Sequence, residues 1–240
     1  MTTTSHPSSV SVPEARTTAT STRRVVDAPT RWFHWLSVAC LVGAYVTADG
    51  ERWRLVHAVL GYTLAGLMAW RLVYGLLGPR QVRWSVLWGK LRLAPLWWQA
   101  LRGFFGRQTA GAASPTLSTW WRQGQNLALA ASIAALLVVV LPLTLSGYAT
   151  FNDWGGEWLG ELHEAVGEFT WFLAWSHVAL VLGISLLRRK NLVVPMWTGR
   201  QEGRGPDLAK YDHRWLAFLM AVGVLAYWAW EMVQAWQRLA

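Results

Sequence analysis

A single cysteine, Cys40, stands in 240 residues. The chain therefore closes no disulfide on itself, offers no Cys-x-x-Cys-His attachment for a covalent haem and cannot ligate an iron–sulfur cluster. Charge is scarce, at 15% of residues against 53% hydrophobic, and it is clustered, so long apolar runs are left free of it. That is a membrane composition rather than a soluble one. Acids are the rarer sign, 13 Asp and Glu against 22 Lys and Arg, for a formal net charge of +9. A basic excess raises the possibility of nucleic acid, but the placement of the basic residues fits the positive-inside rule of membrane proteins better. No internal repeat, Gly-rich nucleotide loop or catalytic triad is visible. Any redox cofactor must be held non-covalently, mostly by histidine.

What the chain has in abundance is tryptophan, 19 residues, many at the ends of apolar runs, as interfacial belts require. Residues Met1 to Thr22 are Ser/Thr/Pro-rich and read as a disordered tail without the apolar core of a signal peptide. Five apolar spans follow, at about Trp32–Ala48, Leu55–Leu77, Leu127–Leu145, Leu162–Leu187 and Trp215–Trp236. Pro142 is expected to kink the end of the third. Between spans two and three, Pro79 to Gln123 alternates Trp84, Leu87, Trp88 and Leu91 with Lys90, Arg92, Arg102 and Arg107, and Pro95 interrupts it. This predicts basic amphipathic helices at the headgroup level, with Gly111 to Ser118 as a linker. The loop Gly147 to Gly160 is acidic and bears Trp154 and Trp158.

The loops orient the spans. Arg23, Arg24 and Arg31, the stretch Arg80 to Arg122, and Arg188, Arg189, Lys190 and Arg200 fall on one side, whereas Asp49, Glu51, Asp153, Glu157 and Glu161 fall on the other with only Arg52 and Arg54. The amino terminus is expected in the cytoplasm and the carboxyl terminus outside.

The histidines then acquire depths. His163 and His177 are fourteen residues apart on one span, which returns the side chain to within about 40° of the same direction roughly 21 Å along the axis. His34 opens the first span on the inner side and His57 the second on the outer side. His34 matches His177 in depth, and His57 matches His163. Each pair suits the two axial positions of an iron porphyrin between helices. Lone histidines near helix ends are commonly interfacial; two depth-matched pairs argue for two b haems. A zinc or di-iron site would want carboxylates beside the imidazoles, and Glu164 and Glu168 lie near His163 alone. His6 and His213 read as bystanders. Gly43, Gly61 and Gly66 fit either close helix packing or space for a flat macrocycle. Arg31, one turn from His34, fits a haem propionate or a plain interfacial anchor, and Tyr62 and Trp35 read as packing or belt residues.

These residues resemble a known family. Arg31-Trp32-Phe33-His34-Trp35, His57 with Gly61-Tyr62, Arg71-Leu72, Tyr74-Gly75, His163-Glu164, His177-Val178 and Arg189-Lys190-Asn191-Leu192 are similar to the prokaryotic cytochrome b family over about Val25 to Gly199. That family includes the b-type cytochrome subunit of nickel–iron hydrogenases and is similar to formate dehydrogenase membrane subunits. The resemblance implies an all-α transmembrane four-helix bundle in a bacterial inner membrane. It implies His34, His57, His163 and His177 as axial ligands of two haems b, and electron exchange between a periplasmic redox partner and quinone. By position, Arg31 and Asn191 are the quinone-site candidates. One departure is Gly124-Gln125-Asn126-Leu127, where many members carry Gly-His-Asn-Pro. Residues 1–24 are then the tail, 25–200 the di-haem membrane domain, and 201–240 a connection with an additional C-terminal transmembrane helix suited to docking a partner.

Three function classes follow. The first is a non-catalytic electron-transfer subunit, whose acidic outer loop would suit a basic patch on a c-type cytochrome, hydrogenase or dehydrogenase. The second is a self-contained superoxide:quinone oxidoreductase, which would want a positively charged outer funnel. The third is a haem-free anchor or transporter with interfacial histidines, for which broken mid-membrane helices are expected.

Overall fold

The computed structural model describes residues 21–105 and 117–239, so most of the Gly111–Ser118 linker and of the Met1–Thr22 tail lies outside the described residues, while Leu117 and Ser118 open a helix. Helix α1 (Ala28–Val46) starts at an Asp27 cap whose carboxylate accepts the Thr30 N–H at 3.2 Å, with Pro29 in the first turn, where its missing N–H costs nothing. A seven-residue connection returns the chain into α2 (Arg54–Leu77), and so short a link fixes the pair as an antiparallel hairpin. Two short helices follow, α3 (Trp84–Leu91) and α4 (Ala94–Phe105). The interruption expected at Pro95 falls between them, at Arg92 and Leu93, and Pro95 itself sits in the first turn of α4, where proline is tolerated.

Two long helices come next, α5 (Leu117–Phe151) and α6 (Glu157–Arg188). At 1.5 Å per residue they measure roughly 52 and 48 Å, well beyond a bilayer core of about 30 Å, so their ends stand clear of the hydrocarbon. Pro142 lies inside α5, and the helix continues past it to Phe151. The acidic loop therefore shrinks to Asn152–Gly156, and Gly147 belongs to a helix rather than a loop. The chain ends with α7 (Val194–Thr198) and α8 (Arg214–Leu239).

Among the described residues four helical stretches are long and apolar enough to cross a membrane: Glu51–Leu77, Thr119–Phe151, Glu157–Arg188 and Arg214–Arg238. The expected first span, α1, is not among them. Its 19 residues reach about 28 Å, but Thr30, Arg31, His34 and Ser37 dilute its apolar character. It packs instead against α2 and α8, which shield it.

The buried core joins α1, α2, α5 and α8 through Cys40, Leu64, Leu67, Met68, Val140, Leu143 and Met220. The C-terminal helix is thus built into the bundle, and the Trp228 indole donates to Thr63 Oγ1 at 2.8 Å to fasten it to α2. A feature the sequence did not signal ties the basic end together: strand β1 (Thr22–Arg24) pairs antiparallel with β2 (Arg200–Glu202). Residues 22–24, expected to close an unstructured tail, are part of the fold. Three polar residues per strand carry no alternating pattern to read.

At the same end Asp27 is fully buried and accepts the Tyr74 hydroxyl of α2 at 2.7 Å. Replacing Asp27 by alanine removes a helix cap and strands a buried phenol, for a loss of about 2–4 kcal/mol. The expected outcome is a melting temperature lower by roughly 5–15 °C for a chain of this size, with Asp27→Asn losing much less because its amide oxygen keeps the Thr30 cap while its amide N–H donates to the Tyr74 hydroxyl. Thermal unfolding followed by tryptophan fluorescence checks it.

Candidate haem site

Helix α6 packs closely along α5 but hardly approaches the backbones of α1 and α2. The slot between them is bridged by side chains. Tyr45 of α1 stacks on Trp171 of α6 with ring centroids 4.3 Å apart and planes 4° from parallel. Towards the acidic end, His57 of α2 faces His163 of α6 across the slot, centroids 5.9 Å apart and planes nearly perpendicular. Towards the basic end, His34 of α1 comes within electrostatic range of His177 of α6. The two depth-matched pairs read from the sequence are therefore the pairs the fold brings together.

Hydrogen bonds decide which ring nitrogen is left open. His57 Nδ1 lies 2.8 Å from the Ala44 carbonyl, which can only accept, so the proton sits on Nδ1. His177 Nδ1 lies 3.0 Å from Ser132 Oγ, whose own proton goes to the Leu129 carbonyl at 2.9 Å; the hydroxyl therefore accepts from the imidazole. His163 Nδ1 lies 3.1 Å from the Leu143 carbonyl and 3.2 Å from Ser146 Oγ, and that hydroxyl donates to Pro142 at 2.7 Å. In all three the lone pair is left on Nε2, and the donated Nδ1 proton makes it a better metal ligand. His34 differs: its buried Nδ1 has no partner among the described residues.

The fit to an iron porphyrin can be tested on this geometry. Two iron–nitrogen bonds of about 2 Å plus about 1 Å from each nitrogen to its ring centre place axial imidazole centroids about 6 Å apart, close to the His57–His163 separation. Among the described residues no three His, Cys, Asp or Glu side chains converge as a metal centre, so each pair of imidazoles suits a metal that already has its equatorial ligands. The glycines divide. A Cβ on Gly43 would stand 2.8 Å from Leu60, so that glycine serves α1–α2 packing, whereas Gly61, one turn beyond His57, opens on empty space. The one the sequence missed is Gly147, where a Cβ would stand 2.7 Å from His163 Cε1. It is bare because the imidazole lies against it.

The other singled-out positions have structural partners. Arg31 donates to the Trp197 carbonyl at 2.9 Å and pairs with Asp212 at 3.2 Å, tying α1 to the chain before α8. Burial raises the Asp212 carboxyl, but the Arg214 hydrogen bond and the charges of Arg31 and Arg24 outweigh it and hold the group below its usual range. The network's stability is therefore present at neutral pH and is lost only as pH falls through that lowered value. Asn191 Oδ1 accepts the Val193 and Val194 N–H groups and starts α7. Trp35 donates to the Met196 carbonyl and Tyr62 packs on Tyr148 and Phe151, both packing roles. The Gly124-Gln125-Asn126 departure also has a purpose: Arg188, at the end of α6, donates to Gln125 Oε1 at 2.6 Å and Asn126 Oδ1 at 2.9 Å.

An all-α membrane protein whose spans present paired imidazoles to an internal slot is, by class, a b-type cytochrome. The family model described as prokaryotic cytochrome b561 matches residues 25–199, and the chain belongs to that family. It is a membrane cytochrome that binds haem b and takes part in electron transfer. No curated protein and no solved structure matches the chain.

Proposed function

We propose that the protein carries electrons across the membrane between a periplasmic redox protein and the quinone pool through two haems b. The basic end faces the cytoplasm in this reading, as the positive-inside rule requires; with α1, shielded by α2 and α8, as a fifth crossing beside the four more apolar spans, the amino terminus is inside and the carboxyl terminus outside. The observation that carries it is the facing pair His57 and His163, with His177 about 21 Å further along α6 near His34, three of the four held through Nδ1. His57 and His163 hold the outer haem and His34 and His177 the inner one. Bound haem supplies a one-electron ferric–ferrous couple.

What the chain itself contributes is orientation, insulation and docking. The Ala44 carbonyl, Ser132 and Ser146 fix the ring planes of three ligands, and the α1, α2, α5 and α8 core excludes water between the two depths. Glu157, Glu161, Glu164 and Glu168 recur at i, i+4, i+7 and i+11, so they line one face of the projecting start of α6, and all four are exposed. Exposed Trp154 and Trp158 flank this stripe. Such a surface suits a basic patch on a c-type cytochrome, hydrogenase or dehydrogenase and steers its approach. The same acidity repels an anion such as superoxide, which makes the self-contained superoxide:quinone oxidoreductase the weaker reading. Quinone exchange belongs at the inner haem. Of the two polar groups expected there, Asn191 keeps its amide N–H groups for a carbonyl, whereas Arg31 is engaged by Asp212 and Trp197.

The test is haem quantitation and a reduced-minus-oxidised spectrum on detergent-purified protein, followed by addition of a short-chain quinol. About two haems b per chain, both reduced by quinol, is the expected result. Protein expressed with adequate haem supply that contains none would leave a membrane anchor or transporter instead.

A further inference from the structure

A second concave site, distinct from the haem slot, lies at the basic end between α1 and α8. The cleft of about 390 Å³ is lined by Arg31 and Trp32 on α1 and by Arg214, Ala217, Phe218 and Ala221 on α8. Both helices begin here, so the positive ends of two helix dipoles meet at the cleft. Arg31 and Arg214 share the single carboxylate of Asp212, at 3.2 and 2.9 Å, which leaves one positive charge over, and Arg24 adds another at 4.0 Å. Arg31 Nε is buried with no acceptor among the described residues.

From these features we infer that the cleft binds the phosphodiester headgroup of an anionic phospholipid. Three guanidinium groups share one carboxylate here, and the positive charge left over is what an anionic phosphodiester answers. The apolar part of the cleft suits the remainder of a lipid. Ala217 and Ala221 leave a shallow channel beside Phe218, which is exposed on the outer surface of α8 and continuous with the apolar residues that face the acyl chains. Trp32, Trp197 and Trp215 are exposed at this end, as in a belt at headgroup depth. Basic pockets between helices on the cytoplasmic side are a recurrent way of holding such lipids. A quinone head carries no charge and gains little from the excess of cations. The lipid would stitch α8 to α1 where protein contact alone is polar. The site is built from arginines rather than histidines; it rests on the orientation of the basic end proposed above but not on the haem assignment.

The experiment uses the detergent-purified, haem-loaded full chain, with unfolding followed by tryptophan fluorescence. Phosphatidylglycerol, phosphatidylcholine of the same acyl chains, inorganic phosphate and a short-chain quinone are added separately. Phosphatidylglycerol should raise the melting temperature by about 4 °C, and the other three by little or nothing. Arg214 is 83% exposed and its bond to Asp212 is a surface pair, so Arg214→Gln should lower the lipid-free melting temperature by no more than about 3 °C while weakening phosphatidylglycerol binding about five-fold. Arg214→Lys should restore most of that loss. Equal stabilisation by phosphatidylcholine, an equal effect of inorganic phosphate or of the quinone, or unchanged lipid affinity in Arg214→Gln would each overturn the assignment.

Discussion

Replacing His177 by alanine should reduce bound haem from about two per chain to about one, without unfolding the protein. The partner imidazole, His34, is the one of the four whose Nδ1 lacks a hydrogen bond, so it is the least constrained ligand and the least able to retain a macrocycle alone. The outer pair lies about 21 Å away along α6 and keeps its own hydrogen bonds to Ala44, Leu143 and Ser146. Alanine is the best helix former, and a half-buried imidazole facing a slot takes little packing with it. The difference spectrum should lose the inner component and keep the outer one, and quinol should reduce the remainder poorly. Two haems in the purified variant would remove His177 from the ligand set. None would show that the two sites assemble together.

Gly147→Val should have the complementary effect. A Cβ at this position would come within 2.7 Å of His163 Cε1 and 3.1 Å of Nδ1, and valine adds two methyls that cannot rotate clear inside a helix. His163 must then swing away from the Leu143 carbonyl and from the facing His57. The outer haem should fall to a small fraction of its wild-type content while the inner one stays. Because the changed residue carries no ligand, the result reads the shape of the site rather than its chemistry. Gly147→Ala should fall between the two. A Gly147→Val protein with both haems at full content and unshifted spectra would mean that the imidazole does not occupy the space the structure gives it.

Much of this architecture can be read from local pattern. Apolar runs of about twenty residues mark the spans, and helical periodicity alone aligns His163 with His177. Charge placement separates a basic end from an acidic one. The rest depends on contacts distant in sequence. Ser132 reaches His177 across 45 residues, Arg31 reaches Asp212 across 181, and the strand pairing joins Thr22 to Glu202. No window of sequence carries those. Gly147 was misplaced because proline at 142 and glycine at 147 resemble a helix end. In hydrocarbon the helix continues, since a backbone with no water to bond to has no better alternative. The first span falls short of the apolar content of the others because Thr30, Arg31, His34 and Ser37 stand in its first half, where Asp27, Asp212 and the neighbouring helices receive them.

The separation of α6 from α1 and α2 has a consequence for how the protein is made. In most bundles the last helix to dock is received by a surface of side chains already in place; in the proposed arrangement much of that surface is provided by the pigment itself. Haem insertion is therefore part of assembly rather than a later decoration, and free haem contributes to the folding equilibrium as any ligand specific to the native state does. A cell short of haem would make a chain whose α5–α6 hairpin lacks its counterpart, with four imidazoles and an open flank exposed to the quality-control proteases of the membrane. The amount of finished cytochrome would then follow the supply of haem, with no regulator other than the shape of the fold.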